Sequence, residues 1–310
     1  SLGSDEDKSY WSTIHLLFND GTGRLAEDYS KYSDSTPPRL PAPYHIEIAD
    51  FNADGIDDAF IASFGVPILL EDNTNFWTAY PHLILMSDGR THQPLYLPQS
   101  GPEAADFPGL ANAFAHDASS GDVDGDGDID VFMNAVLYFS DGNGNFDIVD
   151  LNQKEVVESW GVDRKKVDNT HAHASTIGDY NNDGIDDLVI LWSAKATPEN
   201  QYGARDWSNV LLGPVTKESP VYLDSDSWKT LPEPFYGDEN ANYNDADSGD
   251  INGDGFDDIV IGSTRSNPYY AGRHVQVLVS QGDGTFSDET PTRFADQPRA
   301  ELDQSLQGTG

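Results

Sequence analysis

The chain lacks cysteine altogether and is poor in positive charge: 17 Lys and Arg stand against 54 Asp and Glu among 310 residues. Without cysteine there is no disulfide framework, no thiol nucleophile and no zinc–thiolate site, and redox compartment leaves no mark on the sequence. A formal net charge of −37 repels phosphate backbones and anionic headgroups, so nucleic acid and membrane-surface partners are not expected. No apolar run approaches the roughly 18 residues that cross a bilayer as a helix. Sequons of the form N-x-[ST] are missing, which favours a chain that is not N-glycosylated. The sequence opens at Ser1 without methionine or signal sequence, so a processed form or a piece of a longer polypeptide is expected. It also contains no G-x-S-x-G, H-E-x-x-H, P-loop or strand–helix G-x-G-x-x-G, the short signatures of common catalytic chemistries.

What the chain does have is aspartate in order. Four runs share one spacing: Asp50-Phe-Asn-Ala-Asp-Gly-Ile-Asp-Asp58, Asp122-Val-Asp-Gly-Asp-Gly-Asp-Ile-Asp130, Asp179-Tyr-Asn-Asn-Asp-Gly-Ile-Asp-Asp187 and Asp250-Ile-Asn-Gly-Asp-Gly-Phe-Asp-Asp258. Each has Asp at position 1, Asp or Asn at 3, Asp at 5, Gly at 6 and Asp at 9. This is an oxygen cage for a hard cation of calcium's size, with the glycine allowing the sharp turn that gathers the ligands. The expected side-chain ligands are Asp50, Asn52, Asp54 and Asp58; Asp122, Asp124, Asp126 and Asp130; Asp179, Asn181, Asp183 and Asp187; and Asp250, Asn252, Asp254 and Asp258. About four Ca²⁺ ions would bring the net charge from −37 to about −29. Their expected role is structural, since a tight turn that saturates the ion leaves little open coordination. An EF-hand or dockerin would need an acidic residue at position 12 and a helix beyond it. Here position 12 is Ile61, Met133, Ile190 or Ile261, and strand-forming residues follow.

The loops recur at intervals of 72, 57 and 71 residues, the mark of a repeated supersecondary unit. After each comes a short apolar run, such as Leu188-Val-Ile-Leu191 or Ile259-Val-Ile-Gly262, read as a buried strand. Further on, apolar runs turn at Gly-rich pairs, as in Leu16-Leu-Phe-Asn-Asp-Gly-Thr-Gly23, Val136 to Gly144 and Val277 to Gly284, a strong hairpin signal. One unit therefore reads strand, acidic loop, strand, long connection, strand, hairpin, strand, the content of one β-propeller blade. The expectation is an all-β chain of four-stranded antiparallel blades forming a single β-propeller domain over residues 1–310. It would have a half blade at 12–27, full blades at 44–97, 115–149, 171–223 and 243–290, and a tail or closing strand at 291–310. That makes about five blades, or part of a larger ring.

On these loops, the strands after them and the Gly-Asp-Gly-Thr-Phe hairpin ending at Phe286, the chain resembles the FG-GAP and VCBS repeat family. Its best-known members are the propellers of integrin α subunits, and the resemblance covers roughly residues 12–290. It implies calcium held by the oxygens at positions 1, 3, 5 and 9 together with the backbone carbonyl at 7, here Ile56, Asp128, Ile185 and Phe256. It also implies an extracellular or cell-surface setting, and adhesion or recognition of protein or carbohydrate. The family ring usually has seven blades.

Two places could carry a ligand. The topology puts the long connections on one face, and they hold Phe76, Trp77, Tyr80, Trp160, Tyr202, Trp207, Trp228, Tyr236, Tyr269 and Tyr270 beside Arg265 and Arg273. Exposed Trp and Tyr suit sugar rings and protein anchors. Six residues before each loop, on the innermost strand, stand Tyr44, His116, His173 and Asn244, flanked by His45, Asp117, His171 and Asp245. Histidines brought together there could bind a metal or ligand, or simply line a channel as hydrogen-bonded polar groups. The reading expected from all this is a binding or adhesion module with Tyr44, His116, His171, His173, Trp77, Trp207, Tyr269 and Tyr270 as candidate ligand residues. Two alternatives stay open: a propeller polysaccharide lyase or hydrolase with an axial His/Tyr site, and a structural module of a larger surface protein.

Overall fold

The computed structural model describes residues 11–64, 66–69, 75–78, 81–97, 116–134, 136–150, 172–192, 208–217, 228–268 and 270–294. Among them the regular structure is almost all strand; the helical pieces are a 3₁₀ turn at Tyr29–Lys31 and a short α1 (Thr290–Arg293). No described helix is long and apolar enough to cross a membrane.

At the start of the chain lie β1 (Trp11–Thr13), the hairpin of β2 (Leu17–Asn19) and β3 (Leu25–Glu27), and β4 (Arg39–Pro41), which pairs with β1. Four antiparallel four-stranded sheets of propeller-blade type follow. Blade 1 contains β5 (Pro43–Ala49) and β6 (Asp58–Ser63). A separate hairpin of β7 (Val66–Leu69) and β8 (Asn75–Thr78) comes next, and the blade is completed by β9 (His82–Ser87) and β10 (His92–Leu97). Blade 2 is β11 (Ser119–Gly121), β12 (Asp130–Met133), β13 (Val136–Ser140) and β14 (Phe146–Asp150). Blade 3 is β15 (Ala172–Gly178), β16 (Asp187–Trp192), β17 (Asn209–Leu211) and β18 (Trp228–Thr230). Blade 4 is β19 (Ala241–Gly249), β20 (Asp258–Arg265), β21 (Ala271–Ser280) and β22 (Phe286–Asp288). In every blade the acidic loop joins the first strand to the second.

The second strand lies between the first and third. In blades 2 and 3 it is buried along its whole length, so its sequence is an unbroken apolar run rather than an alternation. The chain divides into two compact units, residues 1–115 with 140–148 and residues 116–139 with 149–310. In the first, Leu40, Ile61, Leu83 and Leu85 form a core with Ile14, Leu16 and Ala59 against it. In the second, Val123, Phe132, Leu137, Ile177, Leu188 and Trp192 belong to one core cluster, and Tyr180, Val189, Tyr243, Ile259 and Leu278 to another.

Four details depart from the sequence reading. Blade 2 has no long connection: β12 and β13 are separated by Asn134 and Ala135 alone, with Asn134 at a φ of 47°, a left-handed turn that asparagine tolerates. Phe76 and Trp77 stand in β8, so part of blade 1's connection is strand. The last strand of blade 3 lies beyond Leu223, and its Trp228 packs against a core cluster rather than a connection. The half blade expected at 12–27 takes a further strand, β4, as the partner of β1.

Candidate metal centres

Each acidic loop is folded by its own carboxylates. The Asp at position 1 draws in the amides ahead of it: Asp50 Oδ2 accepts from Gly55 N at 2.7 Å, Asp122 Oδ2 from Gly127 N at 2.9 Å, and Asp179 Oδ2 and Asp250 Oδ2 from Gly184 N and Gly255 N at 3.0 Å. The Asp at position 5 accepts from the amide at 7 at 2.9–3.0 Å in all four. The glycine at position 6 has φ between 84° and 93° in every copy, which is why that place must be glycine. Position 4 is left-handed too, at Ala53, Gly125, Asn182 and Gly253; the pattern of small residues and Asn there was visible in the sequence but unused.

Position 9 does more than face the cage. Asp58, Asp130, Asp187 and Asp258 are all buried. One oxygen accepts the amide of loop position 2, Phe51, Val123, Tyr180 or Ile251, at 3.1–3.3 Å. In three blades the other accepts an amide where the third strand ends: Ser87 at 2.6 Å, Gly213 at 2.8 Å and Ser280 at 2.9 Å. Burial is the largest influence on Asp58 and Asp258 and raises both above the ordinary carboxylate value. Burial likewise pushes Asp187 up to about 7, with the charges of Asp183 and Asp179 acting in the same direction.

The oxygens fit a divalent ion. One carboxylate oxygen from each of Asp122, Asp124 and Asp130 lies within 4.8 Å of the others, close enough for a single Ca²⁺ with ligands at roughly 2.3–2.6 Å. Asp124 is raised by burial first and then by the neighbouring charge of Asp126, so a cation there relieves real repulsion. The other three loops place an amide oxygen, Asn52, Asn181 or Asn252, at position 3.

The candidate ligand residues separate. Tyr44, His173 and Asn244 each occupy the extra residue of a β-bulge, where the pairing register of the first strand shifts. A bulge re-aims a side chain, and the sequence offered no sign of it. His116 and His173 do meet: their rings stack with centroids 4.7 Å apart and planes 13° from parallel. Asp117, flanking them, is buried and accepts the amides of Ala118 and Ser175 at 3.0 and 2.8 Å. Tyr44 is exposed, its ring 5.2 Å from that of Phe64. Tyr270 is exposed at the β20–β21 turn with φ 55°, and Trp77 lies in β8. His171, Trp207 and Tyr269 lie outside the described residues, as do Tyr80, Trp160 and Tyr202.

Near blade 4, Phe235 and His274, which the sequence reading passed over, join Tyr236 and Arg265, which it named. Phe235 stacks on His274 at 3.5 Å between centroids, and the Arg265 guanidinium sits 5.1 Å over the ring of Tyr236. Phe235 and Tyr270 are each 43% exposed.

Buried histidines set a pH dependence. Burial lowers His82 to about 3 and His116 to about 4, from an ordinary 6.5. The unfolded chain takes up these protons below pH 6.5 while the folded chain resists, so both groups contribute stability above pH 6.5 that is lost as pH falls toward 4. Asp187, raised by burial, acts in the opposite direction over the same range, so the histidine part is read by difference. Stability from urea unfolding should fall less steeply from pH 7 to pH 4 in His116→Asn than in the unmodified chain, by up to about 1.4 kcal/mol per pH unit, and identical profiles would count against burial as the cause.

Residues 242–274 match the FG-GAP repeat family. No curated protein matches the chain by sequence. Among solved structures it is similar to the V. cholerae biofilm matrix protein Bap1, at 18% identity and a TM-score of 0.28, over 67% of this chain and 32% of that one. The matched region is thus about a third of that protein's length, a likeness too distant to carry residue roles.

Proposed function

We propose, on the premise of an FG-GAP repeat at residues 242–274, that this chain is a calcium-stabilised β-propeller acting outside the cell as a binding or adhesion module for protein or carbohydrate. The observation that carries the reading is the recurrence of one acidic loop geometry at the head of four blades. Calcium would be held by the side chains at positions 1, 3, 5 and 9 with the carbonyls of Ile56, Asp128, Ile185 and Phe256. Its chemistry there is charge neutralisation and ordering, and the chain's own carboxylates shape the turn that receives it.

Exposed Phe235 and Tyr270, with half-buried Tyr236 under the Arg265 guanidinium, offer flat apolar faces with polar edges, the surface that sugar rings and protein anchors use. Glycan-array binding and capture of defined matrix proteins test this. A ligand is expected, with affinity falling at least tenfold in Phe235→Ala and Tyr270→Ala at an unchanged thermal melt. Binding that ignores both substitutions would place the ligand elsewhere.

The stacked His116–His173 pair favours a second reading, an enzyme acting on polysaccharide. Burial keeps His116 neutral at pH 7, as a proton acceptor must be. Turnover of polysaccharide lost in His116→Ala and His173→Ala would establish it; binding without turnover supports the module.

A further inference from the structure

The acidic loops of blades 2, 3 and 4 are tied directly to one another. The Asp at position 8 of the later loop holds the amide of position 1 in the earlier one: Asp122 N donates to Asp186 Oδ2 at 2.8 Å, and Asp179 N to Asp257 Oδ2 at 3.2 Å. The amides of Asp186 and Asp257 donate back to the carbonyls of Asp122 and Asp179 at 3.1 and 3.3 Å. The approach is close. A Cβ on Gly178, just before the loop of blade 3, would lie 2.7 Å from Asp257 Oδ2, and one on Gly125, inside the loop of blade 2, would lie 3.2 Å from Ile185 Cδ1. The position-2 side chains Val123 and Tyr180 are fully buried, and their carbonyls accept from Val215 N and Ser280 Oγ, both at 2.7 Å, on the following blade.

Neither Asp186 nor Asp257 stands at a ligand position, yet each is flanked by two. Ile185 and Asp187 are positions 7 and 9 of the loop of blade 3, and Phe256 and Asp258 are those of blade 4. The far end of each tie is a position-1 aspartate, whose own side chain shapes its loop: Asp122 Oδ2 accepts from Gly127 N at 2.9 Å and Asp179 Oδ2 from Gly184 N at 3.0 Å. A pair of reciprocal hydrogen bonds therefore joins the first ligand of one cage to the last two of the next. The loop of blade 3 takes part in both pairs, giving one through Asp186 and receiving the other at Asp179.

We propose that Asp186 and Asp257 are positioning residues that couple calcium uptake between neighbouring loops, so that filling one raises the affinity of the next. The coupling rests on the calcium reading proposed above. A filled loop fixes the backbone at its position 1, and through the two bonds it fixes the stretch that carries positions 7 and 9 of its neighbour. That neighbour then has less to order when its own ligands close, which is positive cooperativity by rigidification, and the effect is reciprocal. Repulsion between two ions acts the other way. Salt at about 0.15 M screens charges more than roughly 8 Å apart and leaves the short hydrogen bonds in place, so the coupling is read there.

Hydrogen exchange resolves one loop from another. The amides of Asp183, Gly184 and Ile185 bond to carboxylates of their own loop, so protection of residues 179–187 during a calcium titration reports on the loop of blade 3. Asp254→Ala removes a ligand from the loop of blade 4 alone. It should raise the calcium concentration that half-protects residues 179–187 by about five- to tenfold, the low end of ordinary site-to-site coupling. With Asp257→Ala already present, Asp254→Ala should add no further shift. Asp257→Asn, which keeps an oxygen to accept from Asp179 N, should restore the shift. A half-protection point that ignores Asp254→Ala, or moves equally with and without Asp257→Ala, would overturn the coupling and leave the calcium reading standing. Exchange that ignores calcium at every loop would overturn both.

Discussion

Chelating calcium should lower the melting temperature by roughly 10–20 °C. At millimolar calcium and a loop Kd near 10⁻⁴ M, each ion bound would stabilise the folded chain by about 1.4 kcal/mol, and the four proposed would give roughly 5–6 kcal/mol. A chain of this size loses about 2–4 °C per kcal/mol. Removing the ion also leaves its carboxylates facing one another: Asp124 is already displaced upward by burial and by the charge of Asp126. Scanning calorimetry in calcium, in chelator and after calcium is restored checks this. Magnesium should restore little, because it holds its waters and demands a tighter octahedron. A melt that does not move on chelation would remove the ions from any part in folding.

Asp187→Ala should be the most damaging single substitution in a loop, at about 3–5 kcal/mol in calcium. Asp187 is buried and its two oxygens hold the amides of Tyr180 and Gly213, at 3.1 and 2.8 Å. Each orphaned amide costs about 1–3 kcal/mol, and the loop loses a ligand as well. In chelator the penalty should shrink, since burial makes the charged form of Asp187 costly there, as its rise to about 7 indicates. Asp183→Ala, at an exposed position, removes a ligand and two exposed short-range hydrogen bonds, from Ile185 N and Asn181 Nδ2, neither of which leaves a buried amide orphaned. The comparison therefore separates a latch from a ligand: urea midpoints with and without calcium should show Asp187→Ala far below Asp183→Ala in calcium, and equal losses would reject the latch.

The fold was legible because its signals are local. The spacing from Asp50 to Asp58 and its three copies, the apolar runs that follow and the Gly-rich hairpins each announce themselves within about ten residues, and together they specify strand, loop, strand and turn. What stayed hidden depends on partners distant in the chain. Position 9 read only as a metal ligand, because its bond to Ser280 N from Asp258 spans 22 residues. Position 8 has no role legible in the loop itself, because Asp257 meets Asp179 from 78 residues away. The bulges at Tyr44, His173 and Asn244 carry no local signature, since any residue can be the unpaired one. The long connection expected in blade 2 failed for a related reason. A left-handed Asn134 can turn the chain without a Gly-rich signal.

The double grip of the fourth aspartate has a further consequence for how a blade comes apart. In blade 1 the amides it holds, Phe51 and Ser87, lie 36 residues apart in the sequence yet share one carboxylate, Asp58. The outer hairpin therefore cannot fray while the acidic bend stays shut, and opening either end loosens the other. Blades 1, 3 and 4, which share this double grip, should each breathe as one cooperative foldon rather than peel from the rim.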